Sequence, residues 1–216
     1  MPKPEIIGSM RSSYTRAVCM LCEEKNIEYV LRVCLLGAPE LFAIHPFGQM
    51  PVLRHGDFQL YESKAIATYL DRSFPGPALF PLEPRLAALA EQWISLVNSR
   101  VYGTVRTYLL ACIQPKSPDG TPEVTTIEAA RSQLRQQFVV LNEAVARTGH
   151  LVGDSISFAD LNLLTILHNV RLLPGGAPLL ADAACLARYY ERHADRPSYR
   201  NTMPPPGPPT RHPSHA

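Results

Sequence analysis

The sequence holds no apolar run near the roughly 20 residues that a bilayer-spanning helix requires. Its opening, Met1-Pro2-Lys3-Pro4-Glu5, lacks the apolar core of a secretion signal. Neither charge is in surplus: 21 Lys and Arg face 19 Asp and Glu, for a net charge of +2. That balance gives no electrostatic basis for nucleic acid or an anionic membrane as partner. Cysteine is sparse, odd in number and mostly scattered (Cys19, Cys22, Cys34, Cys112, Cys185). This excludes a disulfide framework and points to reduced thiols in a cytoplasmic protein. The histidines form no pair at metal-ligand spacing beside acids or cysteines, so no metal site is expected. Internal repeats are absent too. What is present is 216 residues, 46% of them hydrophobic, enough for one large domain or two modest ones. The 21 prolines mark the boundaries.

Ile6-Ile7 is a short apolar strand closed by Gly8. From Ala17 onward Val18, Leu21 and Cys22 recur at helical spacing, predicting a helix from about Ser13 to Lys25 that Asn26 stops. Glu28 to Val33 is rich in β-formers, so the opening reads strand, helix, strand. Residues 35–49 read as irregular, with Gly37, Pro39, Pro46 and Gly48 as breakers. Pro51-Val52-Leu53-Arg54 and Phe58-Gln59-Leu60 flank His55-Gly56-Asp57, a hairpin signal that predicts antiparallel strands. Residues 63–73 resume the helical period, with Ile66, Tyr69 and Leu70 on one face. Pro75, Pro77, Pro81 and Pro84 then exclude a long helix or a central strand and mark a linker at about 75–84.

Beyond it the pattern predicts helices only, at about 85–113, 123–148, 157–172 and 179–194. After Met203 the chain is proline-rich with almost nothing apolar, and is expected to be extended or disordered. The reading is an α/β domain of βαβ-ββα order with a mixed sheet over residues 1–78, an all-α helical domain over 85–203, and a tail over 204–216. Within the helical half, Ser157-Phe158-Ala159-Asp160 fits a capping box, with Ile156 and Leu161 placed for a hydrophobic staple.

Three separated pieces of the small domain suit one ligand. Ser12-Ser13 stands at the first helix start, Gln49-Met50-Pro51-Val52 at a strand entry, and Tyr61-Glu62-Ser63 at the entry to the third helix. A helix start reached straight from a strand exposes unpaired N–H groups and the positive end of the helix dipole. A proline at a strand entry is a natural place for a cis bond, which would aim the Met50 backbone at an extended, peptide-like ligand. Glu62 and Ser63 together suit an α-amino and α-carboxylate pair. The plain alternative is that Ser12 or Ser13 only caps its helix.

With these residues in hand, the chain resembles the glutathione transferase superfamily. The likeness rests on Ser12 within residues 8–13, on residues 45–53 (His-Pro-Phe-Gly-Gln-Met-Pro-Val-Leu), on residues 60–66 and on the box at Ser157–Asp160. It spans roughly residues 4–200. The resemblance implies a thioredoxin-like N-terminal domain, an α-helical C-terminal domain, glutathione as co-substrate, a small hydrophobic electrophile and a homodimer. Residues 4–7 carry no tyrosine, which sets the chain beside the serine classes (theta, phi, zeta). The Arg11-Ser12-Ser13 run most resembles zeta, whose motif continues with cysteine where this chain has Tyr14. The alignment makes Ser12 the catalytic candidate, Ser13 the runner-up, and Gln49, Met50, Pro51, Glu62 and Ser63 the glutathione-binding set.

The chemistry implied is stabilisation of a thiolate. No histidine adjoins Ser12 to make it a nucleophile, so its useful act is donation of a hydrogen bond. Isomerase, dehalogenase and peroxidase activity are variants on the same thiolate, and a non-catalytic binding protein on this scaffold is the alternative. Cys19-Met20-Leu21-Cys22 lies too far inside its helix for a redox pair and reads as buried thiols. His45 reads as a loop residue. Asn98, Tyr102, Arg106 and Leu109 recur at helical spacing and fit either a second-substrate pocket or a packing face.

Overall fold

A computed structural model describes residues 2–113 and 123–206. The later part of the proline-rich tail lies outside the described residues. By its contacts the chain divides into two compact units. One runs to Phe80 and regains the chain from Asp195 onward, and the other is Pro81–Ala194.

The first unit is built on a four-stranded mixed sheet of β1 (Glu5–Gly8), β2 (Val30–Val33), β3 (Val52–His55) and β4 (Phe58–Tyr61), in the order β2-β1-β3-β4. β1 and β2 run parallel through the crossover helix α1 (Ser13–Glu24), while β1–β3 and β3–β4 are antiparallel. The β3–β4 turn is held by Gly56 at φ 64°, the left-handed region that glycine enters at no steric penalty. Alternation splits the central strands between two faces. Ile7 and Val52 pack with Cys34, Ala38 and Leu41 against the short helix α2 (Pro39–Ile44). Ile6 and Leu53 are fully buried on the other face. There α1 packs on α3 (Ser63–Ser73), which buries Ile66, Ala67 and Leu70.

In this unit two features differ from expectation. Residues 35–49 are not wholly irregular, because Pro39 sits at the first turn of α2, where a missing N–H breaks no helical bond, and Leu41 is fully buried. Residues 195–203 do not join the helical domain in which the sequence pattern set them. The helix α10 (Pro197–Asn201) packs on α1, with Glu24 as the anchor. Arg196 grips the Glu24 carboxylate at 2.7 and 2.6 Å, and the Ser198 hydroxyl donates to it as well.

The proline-rich linker is also tied down. Lys25 Nζ lies 3.0 Å from Asp71 Oδ1, with both side chains almost fully buried, and donates to the Pro77 carbonyl at 2.9 Å. The Asp71 carboxylate in turn accepts from Leu79 N–H and Phe80 N–H. This buried pair thus spends its charges on backbone groups that a proline-broken segment could not pair within itself.

Among its described residues the second unit is built of helices joined by loops: α4 (Pro84–Leu96), α5 (Tyr102–Ile113), α6 (Val124–Ala146), α7 (Phe158–Leu172), α8 (Gly176–Ala181) and α9 (Ala184–Ala194). Twelve of the fifteen residues of α7 are buried, which makes it the central helix of the unit. A π-helical turn, Val97–Val101, joins α4 to α5 where the sequence predicts one unbroken helix. The predicted helix at 179–194 is two helices. The second begins where Asn142 Oδ1 of α6 accepts from Cys185 N–H and Leu186 N–H at 2.8 and 3.1 Å, a cap supplied from another helix. Among the described residues no helix is long and apolar enough to cross a membrane.

Candidate active site

Strand register brings the three candidate pieces to one end of the sheet. Ile7 pairs with Val52 and Val52 with Tyr61. The next residues outward are therefore Gly8, which leads to Ser12, then Pro51, then Glu62. Gly8 is needed there: a Cβ on it would lie 2.5 Å from Thr15 Oγ1 and 3.3 Å from Met50 Cβ. The start of α1 and the Met50 loop are thus in direct neighbourhood, and a side chain at Gly8 would push them apart.

Ser12 is the N-cap of α1. Its Oγ accepts from Thr15 N–H at 3.3 Å, and its own N–H donates to Ser9 O at 2.9 Å. Accepting one bond leaves a hydroxyl its proton to donate, so capping and ligand binding are compatible uses of one oxygen. Ser12 is half-buried, while Ser13 is only 5% exposed. The first turn of α1 contains no acidic residue, so nothing on the helix itself offsets its positive end.

Gln49 is exposed, Met50 half-buried and Pro51 buried, and the Met50–Pro51 peptide is cis. The loop before them is shaped by His45, 2% exposed, whose Nδ1 accepts from Phe47 N–H at 3.0 Å and whose carbonyl accepts from Gly48 N–H at 3.0 Å. Its ring lies 4.8 Å from that of Tyr61. His45 is therefore a structural loop residue, as its position before Pro46 suggests.

Glu62 is the N-cap of α3 with φ 71° and ψ 112°, a conformation that a non-glycine residue adopts at a cost of about 1–3 kcal/mol. Its exposed side chain makes no capping bond to the helix it begins. Ser63, the first residue of α3, is half-buried beside it.

Two residues beyond the sequence reading belong to this region. Arg16, on the first turns of α1, is a fully buried guanidinium whose backbone N–H donates to Ser12 O. Arg11, just before the cap, donates from Nη2 to the Pro206 carbonyl at 3.0 Å. The signal that could have found them is their sign, since cations near a helix start oppose its dipole.

Three of the thiols are buried and held protonated. Burial pushes Cys19 up to about 12 from an ordinary 9.0, and Cys22 well above it. Cys34, whose thiol donates to Glu40 Oε1 at 2.8 Å, is likewise raised to about 12 by burial and then by that carboxylate. The folded pKa values of Cys19 and Cys22 lie above their unfolded ones. The stability they contribute is therefore full below the ordinary thiol value of 9.0 and is lost as pH rises through the raised folded values, about 12 for Cys19. A thiol reagent at neutral pH is expected to label both only after unfolding. Labelling of either in protein with native circular dichroism would refute their burial.

Of the helical positions, Asn98 Oδ1 accepts from Asn162 Nδ2 at 2.8 Å, which gives Asn98 a packing role. Tyr102 opens α5 directly after the π-helical turn, and burial raises its phenol against the opposing effect of Arg106.

Comparison with known proteins follows the same division. Residues 6–78 match the model for the glutathione S-transferase N-terminal domain, and residues 125–192 match that for the glutathione S-transferase C-terminal domain. Glutathione S-transferase 3 of Zea mays is 29% identical over 216 aligned residues, covering 94% of this chain and 96% of that protein. The apo structure of glutathione S-transferase III superposes with a TM-score of 0.80 at 26% identity, over 96% of this chain and all of the other. The theta-class glutathione S-transferase of Xanthomonas axonopodis pv. citri, solved with glutathione bound, gives a TM-score of 0.77 at 25% identity, over 94% and 98% of the two chains.

Proposed function

The chain belongs to the glutathione S-transferase family, and from that premise we propose that it activates glutathione as a thiolate at Ser12 and conjugates it to a small hydrophobic electrophile. The observation that carries this reading is the meeting, at one sheet end, of the α1 start, the Met50 loop and the backbone-strained Glu62. Strain of that kind persists where the surrounding structure over-determines a functional geometry. Glutathione is the co-substrate, lying along the Met50 backbone like an added strand. Glu62 and Ser63 grip its γ-glutamyl amino and carboxylate groups, Gln49 borders that subsite, and cis-Pro51 shapes it. Ser12 Oγ–H donates to the sulfur, with Ser13 as the neighbouring alternative. A hydrogen bond to a charged group contributes about 1.5–3 kcal/mol and the helix dipole about 0.3–1 more, enough to lower a thiol pKa by about one to three units.

Glu62→Ala is expected to weaken glutathione binding by about ten- to a hundredfold in calorimetry, the value of a charge-assisted bond. Glu62→Gly separates function from fold: it relieves the positive φ and should be at least as stable as the Ala variant, yet bind equally poorly. Parent-like binding by both would refute the subsite. Turnover of aryl halides, epoxides, isothiocyanates, peroxides and maleyl acids in the presence of glutathione separates conjugation from peroxidase, dehalogenase or isomerase use of the thiolate. Failure of all would favour a binding protein.

A homodimer is also proposed, supported by the family and by the exposed aromatic residues Phe47, Phe58 and Tyr61 on the sheet unit. Light scattering should give twice the chain mass of 23.9 kDa, and a single species at the chain mass would refute it.

A further inference from the structure

Arg16 occupies an unusual position for a cation. It sits near the positive end of α1, where charge of its sign opposes the helix dipole, and it is only 1% exposed. Burying a guanidinium carries a desolvation cost, so the groups it meets there bear on its role. Its contacts show what it holds. Nη2 donates to the Tyr199 carbonyl at 3.1 Å and lies 3.1 Å from Met203 Sδ, and the guanidinium stacks 4.1 Å over the Tyr199 ring. These partners belong to α10 and the segment after it. Five residues upstream, Arg11 reaches the same segment at Pro206 O. Two arginines that bracket the Ser12 cap in sequence thus fasten it to one stretch, residues 199–206. Arg16 also shares a helix face with Ser12, since positions four apart stand one above the other.

We propose that Arg16 is a positioning residue for the reaction at Ser12: it clamps the first turn of α1 to the segment Tyr199–Pro206, so that the Ser12 hydroxyl is held at a fixed aim. The inference rests on the reading of Ser12 as the thiolate donor. A hydroxyl that donates to a thiolate is effective only in a narrow geometry, and a displacement of about 1 Å can cost up to a hundredfold in rate.

The test uses the full-length chain and three variants. Arg16→Met removes the charge and the clamp, Arg16→Lys keeps the charge but loses the planar stack and the forked donor set. Arg11→Ala/Met203→Ala loosens the segment through residues outside the core, Met203 being 45% exposed. The readouts are the pH dependence of bound-thiolate absorbance and separate kcat and KM values for glutathione. In Arg16→Met the bound thiol pKa should rise and kcat should fall about tenfold, with KM changed less than kcat. Arg16→Lys should recover part of the loss, and the double variant should shift both quantities in the same direction by less. A folded Arg16→Met with parent thiol pKa and kcat overturns the proposal. If that variant does not fold, a double variant with parent values overturns it. Ser12→Ala run alongside separates the two readings. If Ser12→Ala shifts the thiol pKa and the clamp variants do not, only the clamp fails. If Ser12→Ala shifts nothing, the thiolate reading itself has failed.

Discussion

Ser12→Ala is expected to raise the pKa of the bound glutathione thiol by at least about one unit and to lower kcat near neutrality by about ten- to a hundredfold. Glutathione affinity should change little, because the proposed hold on the peptide is at Glu62, Ser63 and the Met50 backbone. The pH response has a definite sign. The thiol is an acid, so a raised pKa depletes thiolate near neutrality, and raising the pH through the new pKa restores part of the rate. The variant removes two things at once, since Ser12 Oγ also caps α1 through Thr15 N–H. Ser12→Gly resolves this. Glycine at an N-cap costs a few tenths of a kcal/mol against about 1 for alanine, so the Gly variant should be the more stable of the two. If the hydroxyl matters to the thiolate, both variants lose the same activity. If only the cap matters, Gly should keep most of the rate that Ala loses. Ser13→Ala is the control, and a larger loss there than at Ser12 would move the donor by one residue. An unshifted thiol pKa in both Ser12 variants and in Ser13→Ala would end the assignment of thiolate stabilisation to this helix start.

Much of this arrangement is legible in the sequence because its determinants are local. The βαβ opening, the hairpin about Gly56-Asp57 and the helix at residues 63–73 follow from apolar period and turn chemistry, and they stand where the pattern puts them. What the sequence hides is supplied from a distance. The break between α8 and α9 is invisible because its cap is Asn142, more than forty residues earlier in the chain. Residues 197–201 look like the end of a helical domain, and bonds made from a distance, Arg196 and Ser198 with Glu24 and Arg16 with Tyr199, bring them to α1. Pro39 reads as a breaker, although at the first turn of α2 it is an initiator. The site divides the same way. Residue types at Ser12, Gln49 and Glu62 could be named from the chain, but no local pattern reveals that Glu62 has φ 71°. The burial of Arg16 against Tyr199 likewise has no local signature in the chain.

The largest expected loss of stability lies in the helical unit, at Asp160. Its carboxylate is fully buried and each oxygen accepts twice: Oδ1 from Leu151 N–H at 2.8 Å and Tyr189 OH at 3.1 Å, Oδ2 from Ser157 N–H at 2.9 Å and Ser157 OH at 2.8 Å. The sequence reading of a capping box at residues 157–160 fits the Ser157–Asp160 half of this network. The rest joins the loop before α7 and helix α9 to the start of the central helix. Burial first, and then the facing carboxylate, push the Tyr189 phenol well above its ordinary range, so it stays a donor. Asp160→Ala would leave two backbone N–H groups buried without an acceptor, while the Tyr189 hydroxyl keeps the Asp160 carbonyl, 3.4 Å away, and the Ser157 hydroxyl can turn. At about 1–3 kcal/mol per orphaned donor, the expected loss is about 2–6 kcal/mol, read as a lower denaturant midpoint with an unchanged slope. Asp160→Asn is the sharper test. Each carboxylate oxygen serves one backbone N–H and one hydroxyl, so either orientation of the amide sets its NH2 against a backbone N–H. A hydroxyl can rotate to accept, but a backbone N–H cannot. The Asn variant should therefore lose about 1–3 kcal/mol, one orphaned donor and not two. Ser157→Ala, which removes a donor and leaves no N–H orphaned, should cost less than either. An Asp160→Ala protein within about 1 kcal/mol of the parent would show that this carboxylate does not hold the start of α7.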